Sequence, residues 1–348
     1  MHAEDMRRSS VWLAVAALAA TSPVAAGGRG GQLARVEAPP VSRAWVPGGR
    51  FIMGTSPEDL ETLAAECQQV QSLRAFFRDD PCLVWVTVLA MRAPREVQVD
   101  GFWIDRREVT VREYRACVHA GACALAPLLD GDPRYLADGL PQVNVTRGEA
   151  DAMCRWRGGR LPTEAEWEKA ARGTDARTWP WGDDPGPASH DRRDDFNHGR
   201  ALVPAMAELD QVMRATAANV RALGEPDAGD GFELLAPPGS LRASDSPYGV
   251  SDLAGNVAEW VADAFSLEGW NGLPAANPLR LPDPGRDNAM IRGGSWRDPP
   301  FLGRVDLPHY LGLHMDAALR TPYIGFRCVY STTEPIAVRA AAPLPPLP

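Results

Sequence analysis

Apolar residues along this chain come in short bursts, and their spacing changes from one burst to the next. Three bursts have helical spacing and open with the same signature, Thr110-x-x-Glu113, Thr146-x-x-Glu149 and Thr163-x-x-Glu166. Each is a capping box: the Thr oxygen accepts from a first-turn amide while the Glu reaches back to the cap. The second predicted helix sets Ala150, Met153, Cys154 and Arg157 on one face and stops at Gly158-Gly159, a C-terminal signal. Residues 203–223 read as a further amphipathic helix, and residues 56–95 as an extra excursion closed by cysteines. Elsewhere the aromatic-rich strands are short, and 32 Gly and 32 Pro are spread evenly. This pattern predicts a loop-rich α+β domain in which irregular backbone dominates.

The two ends have a different texture. Arg7 and Arg8 precede an apolar run from Val11 to Ala20, and Val24-Ala25-Ala26 offers small residues for cleavage. Residues 1–26 therefore read as a signal peptide, which predicts a periplasmic or secreted protein, with an uncleaved anchor as the alternative. The run is too short for a membrane span, and no cysteine follows it closely enough to carry a lipid anchor. Residues 27–42 read as a flexible leader, residues 43–330 as the folded domain, and residues 331–348, ending APLPPLP, as a disordered tail.

Composition adds two constraints. The formal net charge of −9 comes without a basic cluster, which argues against nucleic acid as a partner. Six cysteines in an exported chain suggest three disulfides, with free structural thiols as the alternative. Cys67 and Cys82 flank one short segment, Cys117 and Cys123 flank another, and Cys154 and Cys328 remain, far apart. Joining that last pair closes nearly half the chain, worth about 5 kcal/mol in the chain-entropy treatment.

The order of motifs carries a resemblance. Gly48-Gly49-Arg50-Phe51-Ile52-Met53-Gly54 is followed by Phe102-Trp103-Ile104-Asp105 and Glu108-Val109-Thr110. Then come the run from Gly159 to Glu168 (GRLPTEAEWE), Trp179-Pro180-Trp181-Gly182, and the run from Tyr248 to Trp260 (YGVSDLAGNVAEW). Arg292-Gly293-Gly294-Ser295-Trp296 and Gly325-Phe326-Arg327-Cys328 close the series. This ordered set resembles the formylglycine-generating-enzyme, or sulfatase-modifying-factor, family over about residues 43–330. The resemblance implies one domain related to C-type-lectin-like folds, with Cys154 bonded to Cys328. It also implies two structural Ca²⁺ ions. The first would take the side chains of Asp252 and Glu259 with the carbonyls of Gly255 and Val257. The second would take Asn197 and Asp230 with the carbonyls of His198 and Phe232. Hard oxygen donors around a tight turn suit Ca²⁺; a metal-free turn with Asp252 and Glu259 as caps or ion-pair partners is the alternative.

The same resemblance exposes a departure. Formylglycine generation in the family uses Cu(I) held by two cysteines shortly after the Gly-Gly-Ser motif, because soft thiolates select that ion. Here the stretch reads WRDPPFLGRVDLPHYLGLH and contains no cysteine, the two cysteine positions of the family falling near Asp298 and near Gly303, which argues against copper. Asp298, Arg304, His309, His314 and Arg320 gather around the family's active-site loop and are the pocket candidates, either catalytic or scaffold. Two roles follow as expectations. One is a binding module for a peptide, glycan or peptide-derived small molecule. The other is an envelope enzyme, resembling pyoverdine-maturation relatives, with Asp298 or a histidine as acid/base. A true cysteine-to-formylglycine oxidase is the third and least supported.

Overall fold

The computed structural model describes residues 41–69, 86, 89–90, 92–126, 133–183, 196–198, 228–266, 268–282, 288–298, 300–308 and 316–332. The signal segment, most of the leader, the tail beyond Thr332, the 203–223 insertion, Cys82, His309 and His314 lie outside them, as does the side chain of Cys67. No helix among the described residues is long and apolar enough to cross a membrane.

Among the described residues, three small sheets hold the fold together. Strand β1 (Arg43–Val46) pairs antiparallel with β4 (Phe102–Asp105), which pairs with β8 (Val329–Ser331). Strand β8 thus includes the first residue of the expected tail. Strands β2 (Gly49–Met53) and β3 (Arg95–Val99) form a two-stranded ribbon, and α1 (Pro57–Gln69) follows β2 within the predicted 56–95 excursion. The third sheet has β5 (Ala258–Ala264) between β6 (Ala289–Arg292), antiparallel, and β7 (Ile324–Gly325), parallel. Strand β5 is covered on both faces, with Trp260 in one core cluster and Val261 in another. Its near-continuous apolar run is what such burial requires.

Helices α2 (Val111–His119), α3 (Arg147–Trp156) and α4 (Glu164–Arg172) begin at the three predicted threonines, each with a complete capping box. Cys117 is bonded to Cys123 and Cys154 to Cys328. The second of these ties α3 to the loop between β7 and β8, across 174 residues.

Helix α4 departs from the usual amphipathic pattern, because all nine of its residues are buried. Its apolar side, Trp167, Ala170 and Ala171, packs on Ala44, Val46, Phe102 and Ile104. Its polar side is not solvated but ion-paired. Arg292 bridges Glu164 at 2.6 Å and Glu168 at 3.0 Å, Arg92 adds to Glu164 at 2.6 Å, and Arg172 to Glu168 at 2.9 Å. Lys169, the one lysine in the sequence, donates to the Gly49 carbonyl at 2.9 Å. Buried charge of this kind persists only when paired.

Candidate functional site

The loop from Asp252 to Val257 turns by placing Asp252, Gly255 and Asn256 at positive φ (57°, 77° and 58°). Gly255 is required by packing as well, since a Cβ there would lie 2.1 Å from the Asn197 carbonyl oxygen. That close approach brings together the two segments expected to bind calcium. The Asn256 amide donates to the Asn197 carbonyl at 2.8 Å. Its side-chain oxygen accepts from Asn197 Nδ2 at 3.2 Å, and its Nδ2 donates to Glu108 Oε1 at 2.9 Å.

Around this turn three buried carboxylates, Glu108, Asp252 and Glu259, face one buried guanidinium, Arg327. Glu259 is bound by Arg327 through both oxygens and also accepts from Trp167 Nε1 at 2.8 Å. Its role as an ion-pair partner, one of the two readings of the sequence, is therefore realised. Asp252 accepts from the Gly239 amide at 2.6 Å. Burial, together with the charge of Asp252, pushes the Glu108 carboxyl well above the usual range, and burial also raises Asp252.

Two buried oxygens at this place have no hydrogen-bond partner, Glu108 Oε2 and Asn197 Oδ1. An unpartnered carboxylate oxygen in the interior is costly unless a cation answers it. With three acids against one arginine, a divalent cation matches the excess charge, and the donors are all hard oxygens. The residues fit Ca²⁺ in that respect. Among the described residues no three acidic, histidine or cysteine side chains converge on one point, so a cation here would depend largely on backbone carbonyls. Asp230 accepts from the Phe232 amide at 2.8 Å, closing its own short turn. Glu108 and Asn256 were not singled out from the sequence as site residues. Their only signal was position, inside the Glu108-Val109-Thr110 and Gly255-Asn256 motifs.

The loop after Ser295, where the resemblance would put the copper cysteines, is held by other contacts. Asp298 is buried, accepts from Ser295 Oγ at 2.5 Å and closes a turn by donating its amide to the Ser295 carbonyl. At Gly303 a Cβ would meet Phe196 at 3.0 Å and Trp179 at 3.4 Å. Those rings belong to a cluster in which Trp179 stacks on Trp181 at 5.1 Å and Phe196 lies 4.8 Å from His198. A side chain at 303 would press these rings aside by a few tenths of an ångström, and neither Asp298 nor Gly303 offers a thiolate.

The other described pocket candidates have different partners. Arg304 is bidentate to Asp306 and reaches Asp59 of α1 at 3.2 Å. Arg320 grips Glu149, the capping-box glutamate of α3. Both arginines are thus ion-paired within the fold, the scaffold reading that the sequence also allowed. Trp296 is buried and donates to the Pro322 carbonyl at 3.1 Å. His309 and His314 lie outside the described residues.

With fold and site in place, comparison with known proteins defines the class. The chain belongs to the sulfatase-modifying factor family: residues 33–332 match the sulfatase-modifying factor enzyme 1-like domain. It is 32% identical over 200 residues to inactive C-alpha-formylglycine-generating enzyme 2 of Mus musculus, covering 56% of this chain and 51% of that protein. It is 30% identical over 217 residues to the formylglycine-generating enzyme of Mycobacterium tuberculosis, covering 60% of this chain and 63% of that one. The chain therefore spans about half to under two thirds of the length of these relatives. The solved structure of PvdO from Pseudomonas aeruginosa shares the fold, with a TM-score of 0.54 and 23% identity over 82% of this chain and 93% of that one.

Proposed function

We propose that this chain is an exported, calcium-stabilised binding protein built on the sulfatase-modifying-factor scaffold. It does not carry out copper-dependent formylglycine generation, and its loops bind a peptide, a glycan or a peptide-derived small molecule. The observation that carries this reading is the absence of a thiol in the stretch from Trp296 to His314, where Asp298, bonded to Ser295, and Gly303 stand near the places at which the family's chemistry needs two thiolates. The ions are structural. Glu108, Asp252 and the carbonyls of Gly255 and Val257 would hold one, beside the Glu259–Arg327 pair. Asn197 and Asp230 with the carbonyls of His198 and Phe232 would hold the other. Calcium there supplies positive charge to an irregular backbone and takes no part in bond making. Export is supported by the Arg7-Arg8 apolar leader and by two disulfides, which persist in oxidising compartments. The test is incubation of the full chain with Cu(I), oxygen and a cysteine-containing sulfatase peptide, followed by mass spectrometry. The reading expects no aldehyde product and an unmodified cysteine; conversion on the timescale of a known family enzyme rejects it.

A further inference from the structure

Beyond the sites described so far, a cavity of about 370 Å³ opens at the start of α2, a size within the range of small-ligand sites. The first turns of α2, the turn at Asp138-Gly139, and Pro238 line it. Backbone bonds fix all three. The Arg112 amide donates to the Asp138 carbonyl at 3.2 Å, and the Val111 amide to the Leu140 carbonyl at 2.9 Å. The Gly239 amide, next to Pro238, donates to Asp252 at 2.6 Å. With the Glu113 amide on Thr110 Oγ1, the first amides of α2 are all in use. A ligand here therefore meets side chains, not the helix end.

Those side chains are unequally engaged. Arg107 holds Glu113 with its two terminal nitrogens, at 3.3 and 2.9 Å, and its Nε makes no hydrogen bond. Arg112 is exposed and meets only Asp138, at 3.5 Å through Nε, so both of its terminal nitrogens are unbonded. Asp138 is held more closely by Arg115, at 2.5 Å. Glu113 is shared with buried Arg157, which also pairs with Asp105 at 3.2 Å. Four guanidiniums thus divide three carboxylates. The surplus charge rests with the least engaged of them, Arg112, in a protein whose formal net charge is −9. Ala116 and Pro238 give the same cavity an apolar wall.

We propose that this cavity binds the carboxylate of a short peptide, with Arg112 as its anchor, Arg107 beside it, and Ala116 and Pro238 against the neighbouring side chain. A guanidinium with two parallel N–H groups free matches the two oxygens of a carboxylate. A polyanionic glycan fits less well, because Glu113 and Asp138 line the cavity too and repel any second negative charge. The fixed walls keep the ordering cost of binding low. The carboxylate comes from a peptide C-terminus or from an acidic side chain. The inference rests on the binding-protein reading and deepens it by naming a ligand class and a place.

The test titrates the full chain, by saturation-transfer NMR, with three probes: N-acetyl-leucyl-alanine, the same dipeptide as its C-terminal amide, and N-acetyl-leucyl-glutamic acid amide. At least one of the two carboxylate probes is expected to bind saturably, more weakly as salt rises, and the tighter of them identifies the source of the carboxylate. The neutral amide is expected to bind about fivefold more weakly, or not at all. Arg112→Gln is expected to cost about the same factor at an unchanged melting temperature, since its guanidinium makes no hydrogen bond in the fold, and Arg112→Lys to retain part of the binding. No saturable binding of either carboxylate probe, equal binding of the neutral amide, or binding indifferent to Arg112→Gln overturns the proposal. So does binding of a sulfated disaccharide where neither carboxylate peptide binds. The underlying binding-protein reading fails by a separate readout, aldehyde formation on a sulfatase peptide, so the two failures are distinguishable.

Discussion

Arg327 and Glu259 meet side on in the middle of the molecule. The guanidinium Nε lies 2.9 and 2.8 Å from the two carboxylate oxygens, and Nη2 lies 2.6 Å from Oε1, with neither group exposed. Arg327 also donates to the carbonyls of Asp105, Ser251 and Asp252. One side chain therefore fixes β4, the Asp252 turn and the start of β5. Removing one member leaves the other charged and buried, so Glu259→Gln is expected to cost about 3–5 kcal/mol. Denaturant unfolding measures it, and a loss under about 1 kcal/mol is inconsistent with a central role for the pair.

The two described disulfides differ in what they constrain. Their separations are 6 residues for Cys117–Cys123 and 174 for Cys154–Cys328. The chain-entropy treatment assigns about 2 and about 5 kcal/mol to them. Cys154→Ala with Cys328→Ala is expected to lower the unfolding midpoint well below that of Cys117→Ala with Cys123→Ala. Equal losses would point to native-state packing, not loop closure, as the source of stability.

Asp263 gives stability a pH dependence of definite sign. It accepts from the amides of Glu164 and Arg280, yet burial first, then the charge of Glu164, pushes its carboxyl up to about 7. The native state therefore holds a proton that the unfolded chain has released above about pH 4. Between about pH 4 and pH 7 this group's contribution falls as pH rises. Asp263→Asn is expected to flatten the slope, seen as a difference between the two unfolding profiles across that interval. Parallel profiles contradict this origin.

Chelation addresses the calcium reading. An ion that binds only the native state at a hundredfold excess over its dissociation constant adds about 2.7 kcal/mol. Treatment with EGTA is expected to lower the melting temperature by several degrees, and calcium to restore it. Glu108→Gln, which removes charge from a group whose Oε2 is now unpartnered, is expected to shrink that shift. A melting curve indifferent to chelator rules against structural calcium.

Much of this scaffold is legible in the sequence because its signals are local. Thr110, Thr146 and Thr163 announce their helices through residues three positions away, and the family resemblance names the Cys154–Cys328 link. The polar face of α4 is different. The burial of Glu164 and Glu168 has no local signal, and only the arrival of Arg92 and Arg292 from other segments explains it. The partners of Arg304 and Arg320 are hidden from the sequence for the same reason. Both arginines are near the altered loop in sequence, but Asp306 and Glu149 claim them. Glu108 and Asn256 carry no periodicity at all, and their importance lies in meeting each other across 148 residues.

The most direct test of the central claim is titration of the full chain with Cu(I) while oxygen uptake is followed in the presence of a cysteine-containing peptide. With Asp298 and Gly303 in place of thiolates, the account predicts no stoichiometric, tight Cu(I) binding and no peptide-dependent oxygen consumption. One equivalent of tightly bound Cu(I) accompanied by turnover would contradict it.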